Sequence, residues 1–138
     1  MGAVVLCAAL LRNTAEGHPG RYYGTDINKN AGFYLRSPYS SVGVVLYGDS
    51  IQSLRAFDSR VDLFINDSEH SAEYEAEEYE AIKEKLSPHA IVLGDNSHVT
   101  SKLAEFSMRE GRRFVFLAEE PADHWYRGAG IGVSWRFT

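Results

Sequence analysis

Apolar and polar positions change period several times along the chain, and each change marks an element. Residues 3–13 are rich in Ala and Leu and predict a helix. Arg21-Tyr22-Tyr23-Gly24-Thr25-Asp26 predicts a short strand ending on an acid, and residues 28–36 predict a helix stopped before Pro38. Val42-Gly43-Val44-Val45-Leu46-Tyr47 is a nearly continuous apolar run, the pattern of a strand buried on both faces. Ser50 to Phe57 predicts a short helix, and Val61-Asp62-Leu63-Phe64-Ile65-Asn66-Asp67 the next strand. Ala72, Ala76, Tyr79, Ile82 and Leu86 then share one face of a helix over residues 71–86, which Ser87-Pro88 is expected to close. Glu73, Glu75, Glu77, Glu78 and Glu80 fill much of the remainder and are expected to form a solvated face.

Ala90-Ile91-Val92-Leu93 predicts another buried strand. Val99, Leu103 and Phe106 mark one face of the following helix, ended by Gly111. Residues 113–119 and 130–137 predict two more strands, and their connection is too short for a crossover helix, so they should run antiparallel. The order is a helix, four strand–helix units and a final strand pair. Such alternation implies an α/β fold with a mostly parallel sheet and helices on both faces.

Composition narrows the picture. A chain of 138 residues suits one domain over 1–138, and 44% hydrophobic residues supply a real core. The formal charge of −5, without a basic block, argues against nucleic acid as the partner. The single cysteine, Cys7, excludes an intrachain disulfide and suits a cytoplasmic setting. The apolar run 3–11 lacks the positive flank of a signal peptide and is far shorter than a membrane span, so it reads as a buried helix.

In an open parallel sheet, ligands bind beyond the carboxyl ends of the strands. Each predicted parallel strand ends in an acid: Asp26; Asp49 followed by Ser50; Asp67 leading to His70; Asp95 followed by Asn96 and, further on, His98. Asp26 can accept hydrogen bonds from two ribose hydroxyls or can cap the next helix. Asp67, Asp95 and Asn96 offer the hard oxygen ligands that magnesium or manganese prefers, or serve as caps. His70 is a candidate general base near neutral pH, or simply a first-turn residue. His98 either supports a ligand or is exposed. Trp125 and Tyr126 either line a substrate pocket or pack structurally.

Tyr23-Gly24-Thr25-Asp26, Leu46-Tyr47-Gly48-Asp49-Ser50, Phe64-Ile65-Asn66-Asp67-Ser68-Glu69-His70 and Val92-Leu93-Gly94-Asp95-Asn96 resemble, in order and spacing, the class I S-adenosylmethionine (SAM)-dependent methyltransferases. The metal-dependent small-molecule O-methyltransferases, of the catechol and macrocin types, are the most similar branches. The resemblance implies a Rossmann-like three-layer sandwich with a C-terminal antiparallel strand pair. It implies that Asp26 holds the SAM ribose, that Asp49 and Ser50 lie by the adenine, and that Asp67, Asp95 and Asn96 hold magnesium or manganese. It also implies that His70 takes the proton from the acceptor hydroxyl, on a sugar, macrolide or phenol of the kind met in natural-product biosynthesis.

That family's first strand ends in an acid and a glycine-rich turn. This chain begins inside or just after that turn, which leaves the first strand missing and a central sheet position unfilled. Exposed strand edges and apolar surface there would suit a homo-oligomer. Two rival readings remain: a degenerate, inactive domain kept for binding or assembly, and a metal-dependent phosphoesterase using Asp67, His70, Asp95, Asn96 and His98.

Overall fold

The structure, a computed structural model, describes residues 2–123, 125 and 128–136, and the chain divides into two compact units, Met1–Ser53 and Leu54–Thr138. The first unit opens with helix α1 (Gly2–Ala15), followed by strand β1 (Tyr22–Asp26) and strand β2 (Gly43–Tyr47). Helix α1 runs two residues past the expected end at residue 13. Gly17 takes φ +88, and the His18 N–H reaches back to the Asn13 carbonyl at 2.8 Å, which satisfies a terminal acceptor. The two strands pair in parallel, Tyr22 opposite Gly43 through Asp26 opposite Tyr47. Cys7 is fully buried, and a Cβ at Gly43 would lie 2.4 Å from its sulfur. Helix and strand therefore approach closely because residue 43 has no side chain.

The helix expected over 28–36 does not form. The Asn28 N–H donates to Asp26 Oδ1 at 2.8 Å, and the Asn30 N–H donates to Asn28 Oδ1 at 3.0 Å. These side chains hold the backbone in successive turns, the competition with helix that Asp and Asn side chains offer. Between β1 and β2 the helical structure is a 3-10 turn at Tyr39–Ser41, so the described residues hold three strand–helix units rather than four. Strand β2 is also half-buried rather than covered on both faces.

Helix α2 (Ser50–Ala56) leads into the second unit, which holds β3 (Val61–Asn66), α3 (Ala72–Ile82), β4 (Leu86–Asp95), α4 (Lys102–Arg109), β5 (Arg113–Ala118) and β6 (Gly130–Trp135). The strand order is β3-β4-β6-β5, with β3 and β4 parallel and both contacts of β6 antiparallel. Strand β4 starts earlier than expected: Ser87-Pro88 lies within it, where the register with β3 shifts between Val61 and Leu63. Proline is tolerated there because an irregular stretch asks for no ladder N–H.

Tyr79, Val92, Leu103 and Phe106 form the buried core of this unit, with Phe64, Leu86 and Phe114 packed around them. The Tyr79 and Phe106 rings stack at 5.2 Å between centroids. Each such buried side chain contributes about 1.5–3 kcal/mol. Val99, expected on the inward face of α4, precedes that helix and is 56% exposed. The acidic helix also departs from expectation: Glu75 and Glu78 are buried, 4% and 2% exposed, beside Tyr79 and Ile82.

Candidate functional site

Parallel pairing sets the geometry of the second unit's polar end. Asn66 pairs with Gly94 at the ends of β3 and β4, so the next residues, Asp67 and Asp95, emerge side by side. His70 lies one turn beyond Asp67, before α3. Asp67, His70 and Asp95 each offer a ligand atom, and these atoms all lie within 4.8 Å of one another. His70 Nε2 is 4.0 Å from Asp95 Oδ2. The Asn96 carboxamide nitrogen donates to Asp95 Oδ2 at 2.8 Å and faces His70 Nε2 at 3.3 Å. In that arrangement Nε2 is the acceptor nitrogen of the ring. Asn96 itself adopts φ +50, a conformation asparagine tolerates.

The electrostatics favour a cation. Loss of solvation around its carboxyl, then the negative charge of Asp95 and a hydrogen bond between the two carboxyl groups, hold Asp67 above the usual carboxylate range. The nearby His70 pulls the other way. Two carboxyl groups forced together in this way gain when a cation sits between them. Two carboxylates and an amide oxygen match the hard donors that magnesium or manganese accepts. A half-turn of the Asn96 carboxamide would exchange its nitrogen for its oxygen and so offer a third such donor.

The first unit places Asp26 and Asp49 at one edge of its own sheet. Asp26 ends β1 opposite Tyr47, and the Gly48 N–H donates to the Asp26 carbonyl at 2.9 Å. Asp49 caps α2: its Oδ1 accepts the Gln52 N–H at 2.8 Å, while Ser50 is buried in the first turn. Asp26 Oδ1 accepts from Asn28, as described above, in a turn rather than at a helix start.

Other expectations resolve in different ways. His98 is exposed, its ring 6.3 Å from that of Phe116, and it lies outside the Asp67–His70–Asp95 cluster. Trp125 is 89% exposed, and Tyr126 lies outside the described residues. A cleft of about 320 Å³ that the strand pattern did not reveal is lined by Asp95, Leu117, Glu119, Ala129, Gly130 and Ile131. Its walls are apolar and its carboxylates are Asp95 and Glu119. Ile27, directly after Asp26, is 81% exposed and presents an apolar surface beside that acid. Neither signal was visible in periodicity, because one depends on a loop between antiparallel strands and the other on a helix that does not form.

A family model described as a methyltransferase domain matches residues 1–97. No curated protein matches the chain in sequence. Among solved structures, the fold is similar to precorrin-6y C5,15-methyltransferase from Geobacter metallireducens (TM-score 0.65, 12% identity, covering 93% of this chain and 75% of that one). It is also similar to an O-methyltransferase from Bacillus cereus solved with SAH (TM-score 0.64, 14% identity, 84% of this chain and 62% of that one). A third likeness is Aeropyrum pernix fibrillarin with natively bound S-adenosyl-L-methionine (TM-score 0.63, 16% identity, 83% of this chain and 55% of that one). The fold is thus α/β and Rossmann-like, and the chain spans less than two thirds of the last two proteins.

Proposed function

The chain belongs to the methyltransferase-domain family, and on that premise we propose that it transfers a methyl group from SAM to a hydroxyl of a small molecule, assisted by a divalent cation. The observation that carries this reading is the convergence of Asp67, His70 and Asp95 at the ends of adjacent parallel strands. Asp67, Asp95 and Asn96 would hold magnesium or manganese. A bound cation would lower the pKa of the acceptor hydroxyl. Bound SAM would supply the methyl group from its sulfonium and would leave as S-adenosylhomocysteine.

The chain's own residues do the rest. His70 Nε2 takes the acceptor's proton, and the neighbouring Asp95 stabilises the imidazolium that results. Asp26 accepts from the ribose hydroxyls, and the exposed Ile27 offers its apolar side to the adenine. Asp49 and Ser50 border the same base. The cleft beside Asp95 receives the acceptor, its apolar walls covering the body of the molecule and Glu119 accepting from a second polar group. Alignment of the two reactants supplies about 7–11 kcal/mol of the barrier reduction when the geometry is good.

The acidic net charge supports a small-molecule acceptor over nucleic acid. No helix among the described residues is long and apolar enough to cross a membrane. A lone buried thiol fits a cytoplasmic setting.

Calorimetric titration with S-adenosylhomocysteine, followed by methyl-transfer assays on hydroxylated acceptors with and without magnesium, tests the reading. Binding plus cation-dependent transfer, abolished in Asp95→Ala with cofactor affinity kept within a few-fold, is the expected result. Transfer that survives both chelation and Asp95→Ala would remove the cation from the mechanism, and a folded chain that does not bind the cofactor product would remove the activity.

A further inference from the structure

The two carboxylates buried on α3 have partners that bracket the proposed cation site. Glu78 Oε2 accepts from Asn66 Nδ2 at 2.6 Å and from Ser68 Oγ at 2.5 Å. Asn66 and Ser68 are the residues on either side of Asp67. Glu75 Oε1 accepts from the Tyr79 hydroxyl at 2.7 Å, and its Oε2 accepts from the Thr100 hydroxyl. Thr100 belongs to the loop that leaves Asp95 and Asn96, and its hydroxyl also accepts the Lys102 N–H at 3.2 Å at the start of α4.

A buried carboxylate is costly unless donors satisfy it, and an ionised one can only accept. Apolar residues at positions 75 and 78 would serve a plain core at less cost. The acids instead hold one donor from each side of Asp67 and one from the loop after Asp95. Three residues apart on one helix, they also lie on the same side of it. Helix α3 thereby ties the two ligand-bearing segments to one rigid element, in addition to the β3–β4 pairing.

We propose that Glu75 and Glu78 are positioning residues that set the spacing between Asp67 and the Asp95–Asn96 pair for a divalent cation. The proposal rests on the cation reading given above. Outer hydrogen-bond partners of metal ligands act in this way, and their loss typically costs about 10–100-fold in metal affinity.

The test is manganese binding by the full chain, read from the free-ion electron paramagnetic resonance signal well below the unfolding temperature. Ser68→Ala and Thr100→Val each remove one donor to the buried acids, and Ser68→Thr and Thr100→Ser keep it. The expected result is weaker manganese binding by about 10-fold in Ser68→Ala and Thr100→Val, near-normal binding in Ser68→Thr and Thr100→Ser. Glu78→Leu is the direct variant and should weaken binding further; where it does not fold, the hydroxyl pairs decide. Equal affinity in all four hydroxyl variants, whatever their thermal stability, would overturn the positioning role while leaving the cation site standing. An unsubstituted chain that binds no manganese would overturn the cation reading and this proposal with it.

Discussion

His70 Nε2 lies 4.0 Å from Asp95 Oδ2, although the histidine follows β3 and the aspartate ends β4. That contact joins the proposed base to a carboxylate that can stabilise it once protonated. His70→Ala should therefore lower the methyl-transfer rate at saturating substrate by about 10²–10⁴-fold. Cofactor affinity should be unchanged. Single-turnover kinetics beside a calorimetric titration would check both halves, and a loss of affinity equal to the loss of rate would contradict the base assignment.

Asp26 should matter in the opposite way. A single hydrogen bond to a charged group contributes about 1.5–3 kcal/mol, so Asp26→Ala should weaken S-adenosylhomocysteine binding by at least about 10–100-fold. Manganese affinity should stay as it was. Titrating both ligands against the same variant separates the two roles, and equal losses for both would mean that the substitution acts through folding.

The raised pKa of Asp67 has a definite sign in stability. Its folded value lies above the unfolded value of about 3.9, so the folded state binds the proton more tightly. The group's stabilising contribution is full below the unfolded value and is lost as pH rises through the folded one. Melting temperatures in chelator should therefore fall over that window more in the unsubstituted chain than in Asp67→Asn. Added magnesium should reduce the difference. A pH dependence identical in the two proteins would show that Asp67 does not bear this strain.

A structural prediction concerns the buried Arg112. Its Nε donates to Ser134 Oγ at 2.9 Å, and its guanidinium also reaches the Ala90 carbonyl at 2.6 Å. Ser107 donates to the same Ser134 hydroxyl at 2.7 Å. Ser134→Ala leaves the Nε of the buried arginine without that acceptor. The expected cost is about 1–3 kcal/mol, visible as a lower denaturant midpoint. An unchanged midpoint would mean that Arg112 finds another acceptor.

Legibility in the sequence followed how local the deciding physics was. Asp67 and Asp95 could be placed side by side because parallel strands carry their last residues to one end. The turns at 28–36 were misread because a nine-residue window looks helical until the Asp26 and Asn28 side chains claim the backbone N–H groups. Glu75 and Glu78 were assigned to solvent because five acids in one helix normally face water. Beside the Tyr79 hydroxyl from within the helix, donors from Asn66, Ser68 and Thr100, which lie outside it, help make their burial tolerable. Glu119 escaped notice because its cleft arises from how the antiparallel pair meets the end of β4.

Strand β6 is made after β5 yet lies between β5 and β4. During synthesis β5 therefore emerges with no strand in this sheet to join, and β4 has one bare flank. Both wait for Gly130–Trp135 to leave the ribosome. Residues Ile131 to Ser134, which pair with Asp95 to Val92, are the ones that close that flank. The strand bearing Asp95 is thus held on both sides only once this late segment arrives, and a nascent chain stalled before it would present an open β4 edge to chaperones.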